Sequence, residues 1–272
     1  MVLLASRPFG NISEEKKVCP LGRETFMIPI YWEDGWPWFK SESGLIEKEY
    51  SLPSLIESNS SDIKTDWSSE PSCDHFNGKL PLHWLSLRMP ANEKDIAFSM
   101  QPDALRLFTK AATLRGREHP AFAGRRVRHK NWAFSASLGF SPKAPNETAG
   151  IVLLQSEDWH YRLELSLSSS GNYTLRLVGA SNKEDEVIAL CEIPASTQPL
   201  VLAARCEEME LSFYCGKDQY SLVKIIDNID ARILSTEYAG GFVGTLAGVF
   251  ASGNGKDTGN YADVFWAEYS LL

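Results

Sequence analysis

The chain has 272 residues, 43% of them hydrophobic, enough material for one large or two small globular domains. Its 27 Lys and Arg against 35 Asp and Glu leave a net charge of −8, which argues against a general nucleic-acid or anionic-membrane surface, since either needs a basic face. No stretch reaches the ~20 apolar residues of a membrane span, and the opening Met-Val-Leu-Leu-Ala-Ser-Arg-Pro lacks the basic start and the length of a secretory signal.

The first predicted strand covers about residues 1–5. A second run, within residues 25–32, follows a polar turn carrying Arg23 and closes at Asp34-Gly35, a dipeptide that favours a two-residue hairpin turn. Two strands alone are marginal in water, so residues 1–40 read as the tail of a larger β domain. Residues 41–72 are punctuated by Ser-Glu-Ser-Gly, Ser-Leu-Pro-Ser and Glu-Ser-Asn-Ser-Ser-Asp, the composition of a solvated linker.

From residue 73 to 272 short strands alternate with turn signals. Ile96 to Met100 and Leu105 to Phe108 come first. In the next run Trp132, Phe134, Ala136, Leu138 and Phe140 alternate with small or polar residues, the period of a half-buried strand. Further runs begin at Gly150, Trp159, Tyr173, Val187, Leu200, Met209 and Tyr220. Phe242 to Phe250 and Ala262 to Tyr269 complete the series. Turn-like pieces separate them, among them Pro145-Asn146, Ser170-Gly171-Asn172 and Gly253-Asn254-Gly255. About a dozen strands with hardly any helical periodicity predict an all-β, two-sheet jelly-roll sandwich. Only Ile229 to Ser235 reads as a short helix.

Chemistry-bearing patterns are sparse. Cys19, Cys73, Cys191, Cys206 and Cys215 are odd in number and scattered, which suits buried thiols better than a disulfide framework. The histidines His75, His83, His119, His129 and His160 have no zinc-ligand spacing, so no metal or cofactor is expected. Asp74 and Asp263 would meet if the sandwich's first and last strands pair, which leaves calcium binding open beside plain turn and strand-end capping. There is no GxSxG elbow, and Gly240-Gly241-Phe242-Val243-Gly244 has no Lys-Ser/Thr after it to cradle phosphate. Glu157-Asp158 and Glu207-Glu208 lie at turns, where solvated charge is the default reading over a catalytic pair. Trp36, Trp38, Trp84 and Trp159 fit either a sugar-stacking platform or the inward faces of a sandwich. Arg125, Arg126 and Arg128 fit a solvated face or intrachain ion pairs. Four Asn-x-Ser/Thr sequons, at Asn11, Asn59, Asn146 and Asn172, do not fix the compartment.

Several segments resemble glycoside hydrolase family 43, in its β-xylosidase-type branch. Cys19-Pro20-Leu21-Gly22-Arg23-Glu24-Thr25 with Asp34-Gly35-Trp36-Pro37 is similar to the family's last propeller blade. His83 to Pro90, Leu114 to Arg117, Phe122 to Arg126, Ile233 to Gly244 and Ala262 to Phe265 resemble its C-terminal concanavalin A-like sandwich. The resemblance implies a blade fragment over residues 1–40, the linker and a sandwich over 73–272. In the family a five-bladed propeller carries a general-base Asp, a general-acid Glu and a second, tuning Asp, and hydrolysis inverts the anomeric centre. All three carboxylates lie upstream of the segment that Cys19 to Thr25 resembles, so no residue here is expected to inherit a catalytic role.

Two residues inherit binding roles by the same resemblance. Arg23 matches the arginine that binds substrate hydroxyls on the pocket floor, and Phe242 an aromatic that the sandwich extends toward the pocket, with Leu246 and Phe250 as alternatives. The expected function is a pocket-completing module for a xylo- or arabino-oligosaccharide held by the parent propeller, inactive in isolation. A stand-alone lectin-like module and an adaptor closing another protein's propeller are the alternatives. The family's habit of forming dimers or tetramers allows a homo-oligomer.

Overall fold

The computed structural model describes residues 1–9, 17–39, 46–47, 50, 72–98, 100–182, 184–194 and 199–272. Most of the expected linker therefore lies outside the described residues. The chain divides into two compact units, Met1–Arg7 with Arg23–Pro71, and Pro8–Gly22 with Ser72–Leu272.

In the first unit β1 (Val2–Ser6) pairs antiparallel with β2 (Arg23–Met27), Val2 opposite Met27 and Ser6 opposite Arg23. The Met1 amine donates to the Ile28 carbonyl at 2.8 Å, and Arg7 grips Glu24 with two bonds of 2.7 Å. The run expected across residues 25–32 is broken: β2 stops at Met27, because Pro29 has no N–H to continue a ladder. β3 (Tyr31–Glu33) and β4 (Trp36–Trp38) then form the expected hairpin. Its turn holds Asp34 at φ 51° and Gly35 at φ 79°, the left-handed pair a tight hairpin needs. Among the described residues each ribbon has two strands, and Val2, Leu4 and Met27 are 65–69% exposed.

The second unit opens with β5 (Cys73–Asp74), β6 (Trp84–Leu85), β7 (Ile96–Ala97), β8 (Leu105–Phe108), β9 (Ala121–Arg126) and β10 (Trp132–Phe140). It continues with β11 (Thr148–Leu154), β12 (His160–Leu167), β13 (Tyr173–Ser181), β14 (Glu184–Ile193) and β15 (Leu200–Glu207). β16 (Glu210–Gly216) and β17 (Val223–Asp230) precede a 3-10 turn at Ala231–Leu234 and α1 (Thr236–Ala239). β18 (Leu246–Ser252) and β19 (Tyr261–Leu271) close the chain. One sheet runs β17-β16-β15-β10-β19-β8-β7, with β5 also on β19; the other runs β14-β13-β12-β11-β18-β9-β6.

The period-two pattern explains the sandwich. Phe134, Leu138, Leu202, Leu107 and Val264 from the first sheet share one core with Ile151, Leu153, Leu163, Leu177 and Val249 from the second. Each contributes ~1.5–3 kcal/mol by leaving water. The opposite side of the second sheet carries a smaller apolar cluster of Leu114, Phe122, Val152, Leu154 and Phe250.

Three local expectations are corrected. The helical residues start at Ala231, not Ile229, because Ile229 and Asp230 still pair with β16 while the Asp230 carboxylate accepts from Arg232 N at 2.9 Å. The strand expected from Phe242 begins only at Leu246. The first and last sandwich strands do pair, but Asp74 falls opposite Ala267, away from Asp263. Buried Asp74 takes bonds from Trp84 Nε1 at 2.8 Å and Arg125 Nη1 at 3.1 Å and meets His83 Nε2 at 2.9 Å. Asp263 is held by Arg106. Each carboxylate thus has its own guanidinium, and the two do not form a calcium site.

Candidate functional site

The segment carrying Arg23 is fastened to the sandwich just before that residue. Val18 and Leu21 are buried in the sandwich core, and Val18 bridges to Phe9. Cys19 N donates to Glu237 Oε2 at 2.6 Å, and Thr245 N donates to the Pro20 carbonyl at 3.0 Å. Burial alone would push the Glu237 carboxyl up, but the Cys19 and Thr236 donors outweigh it and hold the group below the ordinary glutamate range. Gly22 then forms an isolated antiparallel bridge with Val243.

The close approach at that bridge demands glycine at positions 22 and 244. Gly22 sits at φ 69°, and a Cβ there would collide with the Val243–Gly244 backbone. A Cβ on Gly244 would collide with the Leu21 backbone. Close backbone approach is what absent side chains permit.

The facing loop is built from both of its ends. The Ser235 hydroxyl closes the 3-10 turn on the Arg232 carbonyl at 2.7 Å, and the Thr245 hydroxyl donates to the Leu234 carbonyl at 2.8 Å. Gly240 and Gly241, at φ 76° and 74°, turn the chain after α1. Phe242 follows, 62% exposed, and Gln155 Nε2 fixes the next carbonyl, Val243 O, at 2.9 Å. Phe250, one alternative to Phe242, is buried in the outer apolar cluster, and Leu246 packs against it. Among these three, Phe242 is the exposed loop aromatic.

Arg23 opens β2, exposed, directly after the bridged Gly22. The residue before Arg23 and the residue after Phe242 therefore face each other across an isolated antiparallel bridge. Beside the loop a cleft of about 380 Å³ is lined by Leu85, Leu87, Leu114, Leu154, Val243 and Leu246, with Arg88, Arg126 and Glu157 among its polar groups. Arg88 ties Glu157 at 2.5 Å and the Glu118 carbonyl at 2.5 Å. Glu157 is thus engaged in an ion pair, and Glu208 is held by Lys130. Among the described residues, no group of three or more His, Cys, Asp or Glu is placed to hold a metal ion. No described helix is long and apolar enough to cross a membrane.

Of the four tryptophans weighed above, Trp84 is buried against Phe76, while Trp36 and Trp38 are exposed on the small hairpin. None of the five cysteines is in a disulfide.

Residues 73–270 match the family described as the β-xylosidase C-terminal concanavalin A-like domain. The chain belongs to that family. Over 273 residues it is 31% identical to a non-reducing end α-L-arabinofuranosidase of Bacteroides ovatus, covering 100% of this chain and 48% of the relative. A xylosidase/arabinosidase of Butyrivibrio fibrisolvens is 32% identical over 97% of this chain and 48% of its own length. Among solved structures, a Bacteroides ovatus protein described as xyloglucan PUL GH43B superposes with a TM-score of 0.86 at 29% identity, over 100% of this chain and 51% of that one. The GH43 BlXynB protein of Bacillus licheniformis gives 0.84 at 25%, over 100% and 50%. The chain spans about half the length of the curated relatives it matches. It is the C-terminal β-sandwich module of a glycoside hydrolase family 43 protein.

In this family 43 module the sequence reading missed Glu237 and Gln155, the two side chains that hold the bridge and the loop. No local signal marks them: Cys19 and Glu237 are 218 positions apart, and Gln155 and Val243 are 88 apart.

Proposed function

We propose that this module supports and partly closes the sugar pocket of a family 43 propeller, with Arg23 and Phe242 as its contributions to substrate binding. Residues 1–40 are, on this reading, the closing piece of the last blade, and the exposed apolar face of Val2, Leu4 and Met27 awaits further strands. The observation that carries the proposal is the Gly22–Val243 bridge, which ties the chain on either side of the two residues together. A planar guanidinium such as Arg23 grips vicinal hydroxyls and lowers the pKa of a neighbouring carboxylate. An exposed ring such as Phe242 offers an apolar face to a sugar.

The resemblance to an arabinofuranosidase and a xylosidase/arabinosidase supports xylo- or arabino-oligosaccharides as the substrates, cleaved by carboxylates that the propeller supplies. The test joins the N-terminal half of the Bacteroides ovatus arabinofuranosidase, the part this chain does not match, to this chain and measures kcat/KM on nitrophenyl glycosides. Arg23→Ala and Phe242→Ala are each expected to lower it about tenfold or more, with the Phe242 effect chiefly in KM. Unchanged kinetics in both variants of an active fusion would overturn the reading.

A further inference from the structure

We infer that the outer face of the β17-β16-β15-β10-β19-β8-β7 sheet carries a second site, for a single sugar ring, between the end of β10 and the start of β19. A cleft of about 200 Å³ there is lined by Gly139, Phe140, Ser141, Lys143, Asn260 and Tyr261. That is smaller than the pockets that enclose drug-sized ligands, and it suits one saccharide unit.

Tyr261 supplies the apolar wall. It is 39% exposed, and the Arg106 guanidinium lies 3.6 Å from its ring centroid, covering one face. Arg106 is itself held by both Asp263 oxygens, at 2.7 and 2.8 Å, and Phe108 meets the Tyr261 ring edge-on at 6.5 Å. The ring is fixed before any ligand arrives, which lowers the entropy cost of stacking. Gly139 lies opposite Asp263, and a Cβ there would press within 3.0 Å of the Phe265 ring. The floor is therefore flat.

The opposite wall is equally set. The buried Asn260 amide donates to the Ser141 carbonyl at 2.9 Å and to Glu147 Oε2 at 2.7 Å, and that same oxygen takes Lys143 N at 2.6 Å. These bonds hold the 141–147 loop and leave the Ser141 hydroxyl and the Lys143 ammonium on exposed residues at the cleft. One aromatic face with hydroxyl and ammonium groups at its edge matches a sugar, which is apolar on a ring face and polar around its rim. The Arg106–Asp263 pair carries no net charge, so the Lys143 ammonium is the one formal charge among the lining residues.

The site uses neither Arg23 nor Phe242, so it stands or falls apart from the pocket proposed above. Its test is calorimetric titration of the whole chain with methyl β-D-xylopyranoside, methyl α-L-arabinofuranoside and, as a planar competitor, adenosine. Saturable millimolar binding of a glycoside is expected, weakened about tenfold by Tyr261→Ala and by Ser141→Trp and unaltered by Phe242→Ala. Ser141→Trp fills the cleft yet keeps the main-chain carbonyl that Asn260 grips, so it decides the matter should Tyr261→Ala fail to fold. Absence of saturation, indifference to Ser141→Trp, tighter binding of adenosine, or loss of binding in Phe242→Ala would each overturn the assignment.

Discussion

His160, on β12, has no exposed surface. Its Nδ1 meets the Ser156 carbonyl at 3.2 Å and its Nε2 meets Arg162 Nη1 at 2.7 Å. The carbonyl can only accept and the guanidinium can only donate, so the ring is neutral with its proton on Nδ1. Burial, and then the Arg162 charge, push its pKa down to about 3. An unfolded histidine titrates near ~6.5, so between these values the unfolded chain binds more protons and stability rises with pH. Unfolding free energy is expected to fall as pH drops from ~6.5 to ~5, a range in which most carboxylates stay ionised. Denaturant titrations of the wild type and His160→Gln check this: the variant should show a flatter dependence, and identical slopes would contradict it. Glycines make a second comparison at this scale. Gly171 has φ 87° with open space around its Cβ direction, whereas Gly22 has both a left-handed φ and backbone in the way. Gly171→Ala is expected to cost ~1 kcal/mol and Gly22→Ala about twice that or more. Equal losses in chemical denaturation would mean that the bridge does not hold in solution.

At the scale of elements, the described residues form two weak ribbons in one unit and a broad sandwich in the other. Limited proteolysis is expected to cleave within residues 1–70 and leave 73–272 as a resistant core, with Val18 and Leu21 keeping the bridged segment attached. Equal resistance of both regions would count against this division. β10 was legible because its sequence alternates: Trp132 to Phe140 reads as one half-buried strand, and β10 spans those residues. What was not legible came from contacts distant in sequence. β19 carries a bulge near Phe265, opposite the Ser137–Leu138 step, and no local pattern in Ala262 to Tyr269 announces it. Phe242 to Phe250 looks like a continuous strand, yet Gly240 and Gly241 turn the chain and Pro20 and Leu234 capture Thr245, so pairing in β18 starts at Leu246. Arg125, Arg126 and Arg128 fit a solvated face or intrachain ion pairs, and for Arg125 the strand register selects the second by turning it inward onto Asp74. For the site, resemblance pointed to Arg23 and Phe242, while the fastening by Gly22, Glu237 and Gln155 emerged only from tertiary contacts.

On the scale of the whole molecule, the chain holds a family 43 sandwich, whose loop presents Phe242, and a separate unit with an exposed apolar ribbon. The carboxylates near its clefts are already engaged: Glu157 by Arg88, Asp263 by Arg106, and Glu147 by Asn260. None is left as one of two facing acids poised to activate water and protonate a leaving group. On the function proposed above, this polypeptide contributes binding and support, and the carboxylates of a propeller carry the cleavage. The most direct test is nitrophenol release from nitrophenyl β-D-xyloside and α-L-arabinofuranoside by the purified chain. No release above the buffer rate is expected; turnover that disappears in Arg23→Ala would contradict the account.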